Sequence, residues 1–381
     1  MYGFGLYRTL YGMENALEEN WRVVRSLLPE GWEEQARACG AVARLRGFAS
    51  PEALLRTLLL HVARGYSLRE TVVQAKAAGL AEVSDVALLK RLRKAEGWLR
   101  ELCLALLGEN QVSVPTREPS RVLRLVDATV VKEPGPTGSL WRLHYSLQVP
   151  GLVCDFFALT PTGGAGVGES FLRFPVSAED YILGDAGYCA PAGVEHLSRQ
   201  GAYGLVRFKG GSLPLESRRG HRWDLLPRLG SLTEVGRVGE WPVWVPGPTR
   251  RVEGRLCALR KSEQGVLQAH RRLRRRASKT GKQGQPATFE YAKYVVVFTT
   301  FPRQEFTAPE ILQCYRVRWQ IELVFKRLKS LAQLGHLPKY DESSSRAWLY
   351  GKMLVALLTQ KLLRMGRSIS PWGYLLADAE S

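Results

Sequence analysis

The sequence predicts an α/β protein, in which a mixed-sheet domain carries a β-rich insertion and follows a helical N-terminal region. Three observations predict this class. Apolar residues recur at helical spacing through about residue 108. Short β-branched runs and helix-like segments then alternate, and a stretch rich in Trp, Gly and Pro begins near residue 201. We therefore expect helical, mixed and β-rich parts in that order.

Residues 1–108 form the predicted helical region. Ser67 and Glu70 make a capping box, and Gly79 is a natural helix stop. Ser84 can cap a further helix, SDVALLKRLRKAEGWLRELCLALL, whose leucines lie largely on one side: Leu88, Leu92, Leu99 and Leu106. Short helices with a basic third one suggest a helix-turn-helix type of DNA-binding module. A plain helical bundle with solvated charges explains the same pattern, and the sequence leaves both open.

The predicted catalytic core is built from two separate stretches. A linker at 109–121 precedes residues 122–200, in which LRLVDATVV is a predicted buried strand and YILGDAGY another. WRLHYSLQV and GLVCDFFALTP form a predicted hairpin. Residues 291–381 supply the second part, with a strand, one long helix from Thr307 to about Leu334, and a C-terminal helix that covers the sheet or dimerises.

Charge indicates the partner. The chain has 54 Lys or Arg against 36 Asp or Glu, a net charge of +18. This excess predicts binding to nucleic acid, although a basic surface without such a partner is the alternative. The insertion at 201–290 carries most of it, because residues 201–285 hold 19 Lys or Arg and 6 Asp or Glu. Basic side chains among Trp residues suit a nucleic-acid channel, and 270–285 is a predicted mobile loop.

Composition also argues against several classes of protein. The apolar runs are too short for a membrane span, and the N-terminus lacks the order of a signal peptide. We therefore expect a cytoplasmic, nucleoid-associated protein with no membrane partner. The six cysteines form no CxxC and have no His at ligand spacing, which argues against a structural zinc site.

Three carboxylates stand out by their context. Asp127 interrupts an apolar strand and Asp185 ends another, and a charge in either place is costly to bury unless it is paired or bound to a metal. Glu322 lies in the long helix. At 100° per residue, it shares one face with Tyr315, Arg318 and Lys329. The other face is apolar and is predicted to pack on a core: Val317, Ile321, Val324, Leu328 and Leu331.

Each acid also has a simpler explanation. Glu322 can form a helical salt bridge with Arg318 or Lys326, and the two aspartates can be turn formers at strand ends. Together, however, the three acids predict a site for two divalent cations, because clustered carboxylates stay ionised only when cations neutralise them. Oxygen ligands favour Mg²⁺ or Mn²⁺ over zinc. Two such ions can clamp the attacking and leaving oxygens of a phosphoryl displacement.

These residues, in this order, resemble the DDE transposases of bacterial insertion sequences, in the group named after insertion sequence four. Tyr315, Arg318, Glu322 and Lys329 reproduce the spacing Y-x2-R-x3-E-x6-K. VDATVV around Asp127 is similar to the family's first acidic strand, GDAGY is similar to its D-x-G-Y, and RLRGFASPEALLRTLLLHVARGYSLRE is similar to its N-terminal region. One departure is Ala186, which stands where the family usually has an arginine.

The resemblance implies an RNase H-like core with a β-rich insertion and cleavage of DNA at the terminal inverted repeats of an element. The freed 3′-hydroxyls would then be joined to target DNA, and the DNA complex would contain a homodimer. Asp127, Asp185 and Glu322 would be catalytic and would bind two Mg²⁺ or Mn²⁺ ions. The residues implied to contact DNA are Tyr315, Arg318, Lys329, Lys326 and Tyr294.

Tyr294 has two possible roles in the sequence. It stands on the strand before the Glu322 helix, where the family often has a Trp that stacks on a flipped base in members that form a hairpin. A core strand residue is the alternative at this position.

Three other functions remain open at this point. The chain could be a DNA-binding protein without catalysis, derived from such an element, or a nuclease of the same fold that cuts without joining. A phosphohydrolase with an aspartyl nucleophile is the third. That chemistry commonly has a second Asp two residues after the first, where Thr129 stands here.

Overall fold

The computed structural model describes residues 20–112, 122–132, 140–163, 168–281, 285–335, 337–338 and 341–367. Its contacts divide the chain into two units, and we describe each by itself. The helical unit comprises Met1–Pro115, Val131–Leu140 and Lys326–Ser381. The sheet unit comprises Thr116–Val130 and Trp141–Phe325. The predicted linker at 109–121 falls mostly outside the described residues.

An eight-stranded mixed sheet organises the sheet unit, in the order β3-β2-β1-β4-β5-β8-β7-β6. β1, β4 and β5 are parallel neighbours, whereas β2–β3, β5–β8, β8–β7 and β7–β6 are antiparallel pairs. The expected α/β class with a mixed sheet is thus confirmed. The strands are β1 (Leu123–Lys132), β2 (Leu140–Val149), β3 (Val153–Pro161), β4 (Tyr181–Gly184), β5 (Tyr203–Arg207), β6 (Val238–Pro246), β7 (Arg251–Arg260) and β8 (Tyr294–Thr299).

The β-rich stretch after residue 200 extends the same sheet. β6 and β7 pair with each other, and β7 pairs with β8, so both strands join the sheet through its antiparallel side. Their inward residues Val243 and Leu256 share one buried core with Val126 of β1 and Ile182 of β4. α7 (Pro191–Arg199) connects β4 to β5, and α8 (Leu226–Leu229) precedes β6.

The predicted mobile loop at 270–285 is wrong for most of its length, because α9 (Glu263–Thr280) runs through it. Ser262 caps this helix by accepting a hydrogen bond from the Gly265 N–H, and Gly281, at φ +65°, ends it. Arg, Gln, Leu and Ala are good helix formers, so high charge does not prevent the fold. None of the residues of α9 is buried. α10 (Pro286–Ala292) follows and packs beside α9.

The predicted long helix is two helices, α11 (Ala308–Val317) and α12 (Trp319–Ser330). The Thr307–Glu310 capping box that begins α11 is confirmed. The break falls at Arg318, where two hydrogen bonds of 3.2 Å span only three residues each, from Arg318 N–H to Tyr315 O and from Ile321 N–H to Arg318 O. The division between the two units falls later, within α12, between Phe325 and Lys326.

The apolar face that was predicted for this helix is only partly correct. Ile321 and Leu328 are buried, as expected. Leu331 is 80% exposed, because α12 ends at Ser330 and the chain turns away before the expected end at Leu334.

The helical unit holds α1 at 20–27, α2 (Trp32–Ala38), α3 (Pro51–Arg64), α4 (Leu68–Ala77), α5 (Asp85–Lys94), α6 (Glu96–Val112) and α13 (Glu342–Arg367). The capping box at Ser67 is confirmed. The helix predicted from Ser84 is split at Ala95 into α5 and α6, and its four leucines are buried as expected. Within the described ranges, no helix has the length and apolarity to cross a membrane.

The C-terminal helix α13 packs against α3, α5 and α6 of its own unit. Leu349, Met353 and Leu354 are buried on its inner side. These three residues are therefore covered by helices of the same unit, whereas Leu362, Leu363 and Met365 near the end of α13 are exposed.

Candidate active site

The sheet brings Asp127 and Asp185 side by side. β1 and β4 are parallel neighbours, with Leu123 opposite Tyr181 and Leu125 opposite Leu183. The same register, carried two residues further, places Asp127 opposite Asp185. Asp127 Oδ1 accepts a hydrogen bond from the Ala128 N–H at 2.8 Å. Two acids that are far apart in the sequence thus become neighbours, Asp127 in the middle of β1 and Asp185 just after the end of β4.

The local structure after β4 orients Asp185. Its Oδ1 accepts a hydrogen bond of 2.6 Å from the Gly187 N–H, which caps a single 3₁₀ turn over Ala186–Tyr188. Gly184 must be small, because a Cβ there would lie 2.9 Å from the Tyr188 side chain. The GDAGY motif is therefore a tight turn that presents one carboxylate.

Burial raises the pKa of Asp127 to about 7. The charges of Asp185 and Glu169 act in the same direction, whereas the Ala128 hydrogen bond and Arg318 oppose them. The fold therefore holds a desolvated carboxylate beside two others, and a cation placed among them would relieve the repulsion.

Glu169 is a further candidate for the site that the sequence does not indicate. Burial, and then the charge of Asp185, raise its pKa. A Cβ on residue 187 would lie 1.9 Å from Glu169 Oε2 and 2.9 Å from Asp185 Oδ1. Gly187 thus allows the two carboxylates to approach one point. A glycine in D-x-G-Y indicates that another group lies close to the backbone at this position, but the sequence does not show that this group is Glu169.

The hydroxyl of Tyr188 lies near the three carboxylates. Its ring is buried against Phe171 and Phe174, with centroids 5.2 and 6.1 Å away. Burial raises the pKa of the Tyr188 hydroxyl, and the charges of Asp127, Glu169 and Asp185 raise it further. This hydroxyl has no hydrogen-bond partner within the described residues. It is therefore a neutral donor beside three carboxylates.

Arg318 links Glu322 to Asp127. Its guanidinium forms an ion pair with Glu322 and lies 3.9 Å from Asp127 Oδ2. The Glu322 side chain is 56% exposed, whereas the Asp127 side chain is only 15% exposed. The helical salt bridge that the sequence left open is thus present, and the same arginine reaches the first aspartate. The break at Arg318 places this guanidinium between the two acids.

The donor set suits a hard divalent cation. All its members are carboxylate oxygens, the ligands that Mg²⁺ and Mn²⁺ prefer, and Asp127 lacks a close cationic partner that would fully offset its burial. As the side chains stand, no three acidic, His or Cys residues in the described part of the chain are grouped to hold an ion. Glu322 faces Arg318, so its carboxylate must turn to join Asp127 and Asp185.

The two tyrosines of the sequence prediction are both buried. Tyr315 lies under Arg318, whose guanidinium carbon is 5.8 Å from the ring centroid, and burial raises the pKa of Tyr315 to about 12. Tyr294 is 5% exposed in the sheet core, and its hydroxyl accepts a hydrogen bond of 3.2 Å from Arg260. The structure therefore does not bring the Tyr294 ring to a surface where a base could stack on it, which agrees with the core alternative.

Trp223 and Trp241 of the basic stretch are also not free to stack on a base. Trp223 and Trp241 lie 6.4 Å apart, centroid to centroid, and both pack against the core. Arg228 stacks over Trp223 at 4.8 Å. The charges, rather than these rings, are what the stretch exposes.

Lys326 and Lys329 are exposed on α12 and belong to the helical unit. Lys329 lines a cleft of that unit, together with residues of α3, α4 and α13. The structure thus leaves both ammonium groups accessible.

Comparison with known proteins places this geometry in context. The family model described as the transposase DDE domain matches residues 168–358. That span includes Asp185 and Glu322 and begins one residue before Glu169.

Several curated proteins are similar over nearly the whole chain. The InsL protein of insertion sequence element IS186A from Escherichia coli (strain K12) is 32% identical over 367 residues, which cover 94% of this chain and 97% of the relative. The transposase for IS421 from Escherichia coli is 32% identical, with the same coverage. The transposase for IS231B from Bacillus thuringiensis subsp. berliner is 21% identical, over 88% of this chain and 77% of the relative.

Proposed function

Because this chain belongs to the DDE transposase family of bacterial insertion sequences, we propose that it is the DNA transposase of such an element. It binds the terminal inverted repeats, cleaves them by metal-dependent phosphodiester hydrolysis and joins the freed 3′-hydroxyls to target DNA. The observation that carries this proposal is that Asp127 and Asp185 lie next to each other on adjacent parallel strands. The guanidinium of Arg318 contacts both Asp127 and Glu322.

Asp127, Asp185 and Glu322 are the residues that would hold two divalent ions, Mg²⁺ or Mn²⁺. When bound, such ions supply charge neutralisation at the reacting phosphate and a lowered pKa for the attacking water. The protein's own part is to fix two carboxylates by strand register and hydrogen bonds to the N–H groups of Ala128 and Gly187. Glu169 supplies further negative charge at the same point.

Arg318 contacts Glu322 and Asp127 in the protein without DNA, and it exchanges these contacts for a phosphate when DNA binds. It now neutralises Glu322 and faces Asp127. A DNA phosphate near the acids would compete for this guanidinium, because arginine binds phosphate with two parallel hydrogen bonds. Glu322 would then be free to turn toward the two aspartates. Tyr315, packed under Arg318, keeps the guanidinium in place.

DNA is held by the exposed basic surfaces of both units. In the sheet unit this is α9, which carries Arg271, Arg272, Arg274, Arg275 and Arg276 and has no buried residue. In the helical unit it is Lys326 and Lys329, with the predicted DNA-binding helices of residues 1–108. The complex with two element ends contains a homodimer.

A nicking assay on a labelled duplex that carries the element's end tests the proposal. Wild type cuts with Mg²⁺, and Asp127→Ala, Asp185→Ala and Glu322→Ala each lose cutting while still binding the duplex. Glu305→Ala serves as a matched control, since Glu305 contacts Tyr181 at 2.9 Å outside the site. Retained cutting in two of the three acid variants would refute the assignment. Joining of the cut 3′ end to a second duplex separates a transposase from a nuclease of the same fold.

A further inference from the structure

Lys352 of α13 is a buried lysine whose charge the protein does not neutralise. The residue is only 2% exposed. Among the described residues its ammonium meets neither a carboxylate nor a hydrogen-bond acceptor, and the contact it makes is with the ring of Trp348, 5.0 Å from the centroid. Desolvation alone lowers the pKa of Lys352 to about 8. Burying a charge in this way is costly, so an anion that reaches it gains a strong interaction.

The position of Lys352 makes it reachable. It lines a cleft of about 840 Å³ in the helical unit, open to solvent and within the size range of small-molecule sites. Lys329 of α12 lines the same cleft, is exposed, and makes no ion pair with any described residue. Two lysines that form no ion pair with a described residue therefore line the same cleft.

The acids of the cleft are already engaged. The Glu70 carboxylate accepts the Ser67 N–H at 2.8 Å in the capping box of α4. Asp85 lies 3.4 Å from Arg69 and accepts the Val86 N–H at 2.9 Å. Arg69 offsets the charge of Asp85, and Glu70 is held in the capping box, so Lys329 and Lys352 are the cations of the cleft that have no carboxylate partner among the described residues.

We propose that the cleft around Lys352 and Lys329 is a phosphate-binding site. Its apolar walls, formed by Trp348, Leu68 and Pro338, suit a phosphodiester with its sugars better than a fully hydrated ion. The phosphate of a DNA backbone is thus the favoured source, a point that rests on the proposed function. A free phosphate ion shares the same chemistry, and the test separates the two.

The first measurement is thermal unfolding of the full chain with added inorganic phosphate, at constant ionic strength. Phosphate raises Tm of the wild type, because a ligand that binds the native state stabilises it. Lys352→Met keeps the length and apolar shape of the side chain and loses the phosphate-dependent rise. Without phosphate, its Tm equals or exceeds that of the wild type, since an uncompensated charge has been removed.

Lys361→Met is the matched control on the same helix. Lys361 is paired, with Glu109 at 2.6 Å and the Leu27 carbonyl at 3.0 Å. This variant therefore has a lower Tm and keeps the rise with phosphate. Lys329→Met should weaken the rise in Tm with phosphate. Because Lys329 is exposed, this variant should fold, and it therefore tests the site even if Lys352→Met does not fold.

The second measurement is binding of a short duplex at several salt concentrations. If the source is DNA, Lys352→Met lowers the slope of log affinity against log salt by about one unit. Loss of the phosphate response with an unchanged slope supports the site and identifies a free phosphate ion as its ligand. An equal Tm rise in wild type and Lys352→Met, or none in either, overturns the proposal. If the protein does not nick DNA but its Tm rises with phosphate in a way that depends on Lys352, the proposed function is refuted and the phosphate site is supported.

Discussion

Asp127 couples the site to the stability of the fold. Its pKa is about 7, well above the ordinary value of 3.8, because burial and the neighbouring carboxylates disfavour the charged form. Between about pH 4 and pH 7 the native state therefore binds more protons at this group than the unfolded chain does. The contribution of Asp127 to stability falls as pH rises through this window and is constant above it.

Asp127→Asn removes this dependence. In urea unfolding of the metal-free wild type, this group should lower the free energy of unfolding by about 3 kcal/mol between pH 5 and pH 7.5. The variant should not show this decrease. Asp224→Asn, at an exposed carboxylate paired with Arg222, is the control and keeps the wild-type profile. The same pH profile in Asp127→Asn and wild type would contradict the account of a desolvated carboxylate.

Gly187 tests whether Glu169 belongs to the site. A methyl group at residue 187 would displace the ends of the Glu169 and Asp185 side chains, which are flexible, rather than the backbone. Gly187→Ala should therefore lower the nicking rate about 100-fold with little change in Tm. Gly168→Ala is the control, because a Cβ there meets nothing within 4 Å. Normal nicking by Gly187→Ala would show that the close approach has no bearing on the reaction.

At the scale of single elements, α9 presents arginines to solvent without burying any residue. Arg271, Arg274 and Arg275 lie on one face by the i, i+3 and i+4 rule. Replacing these three with Gln should flatten the salt dependence of duplex binding by about 2 to 3 units, whereas replacing them with Lys should keep it. An unchanged slope in the Gln variant would mean that DNA does not run along this helix.

Helix ends were the most predictable elements, since their signals are local. The capping boxes at Ser67 and Thr307 lie where their side chains and spacing predict. The break at Arg318 and the helix at 263–280 were not predicted. At the break, the Arg318 guanidinium approaches Asp127, which is far away in the sequence. The helical periodicity of the sequence cannot predict such a tertiary contact. For the helix at 263–280, the high charge predicts a mobile loop, although solvated arginines are compatible with a helix.

For the whole molecule, the proposed site rests on the context of each acid rather than on any spacing between them. Asp127 is an unusual residue inside an apolar strand, Asp185 directly follows another, and the strand register brings the two together. Glu322 was identified by the pattern of its helix, and the structure joins it to Asp127 only through Arg318. Glu169 lies before a short turn with no periodic pattern, so only the folded chain shows that it reaches Gly187.

In the proposed mechanism, carboxylates from separate stretches of the chain together hold the divalent ions. The most direct test is the anomalous diffraction of a crystal of the protein soaked in Mn²⁺. Anomalous peaks bounded by Asp127 and Asp185, with the Glu322 carboxylate turned away from Arg318 toward them, are the predicted result. Full Mn²⁺ occupancy elsewhere, with none beside Asp127 and Asp185, would rule out a metal site at these carboxylates.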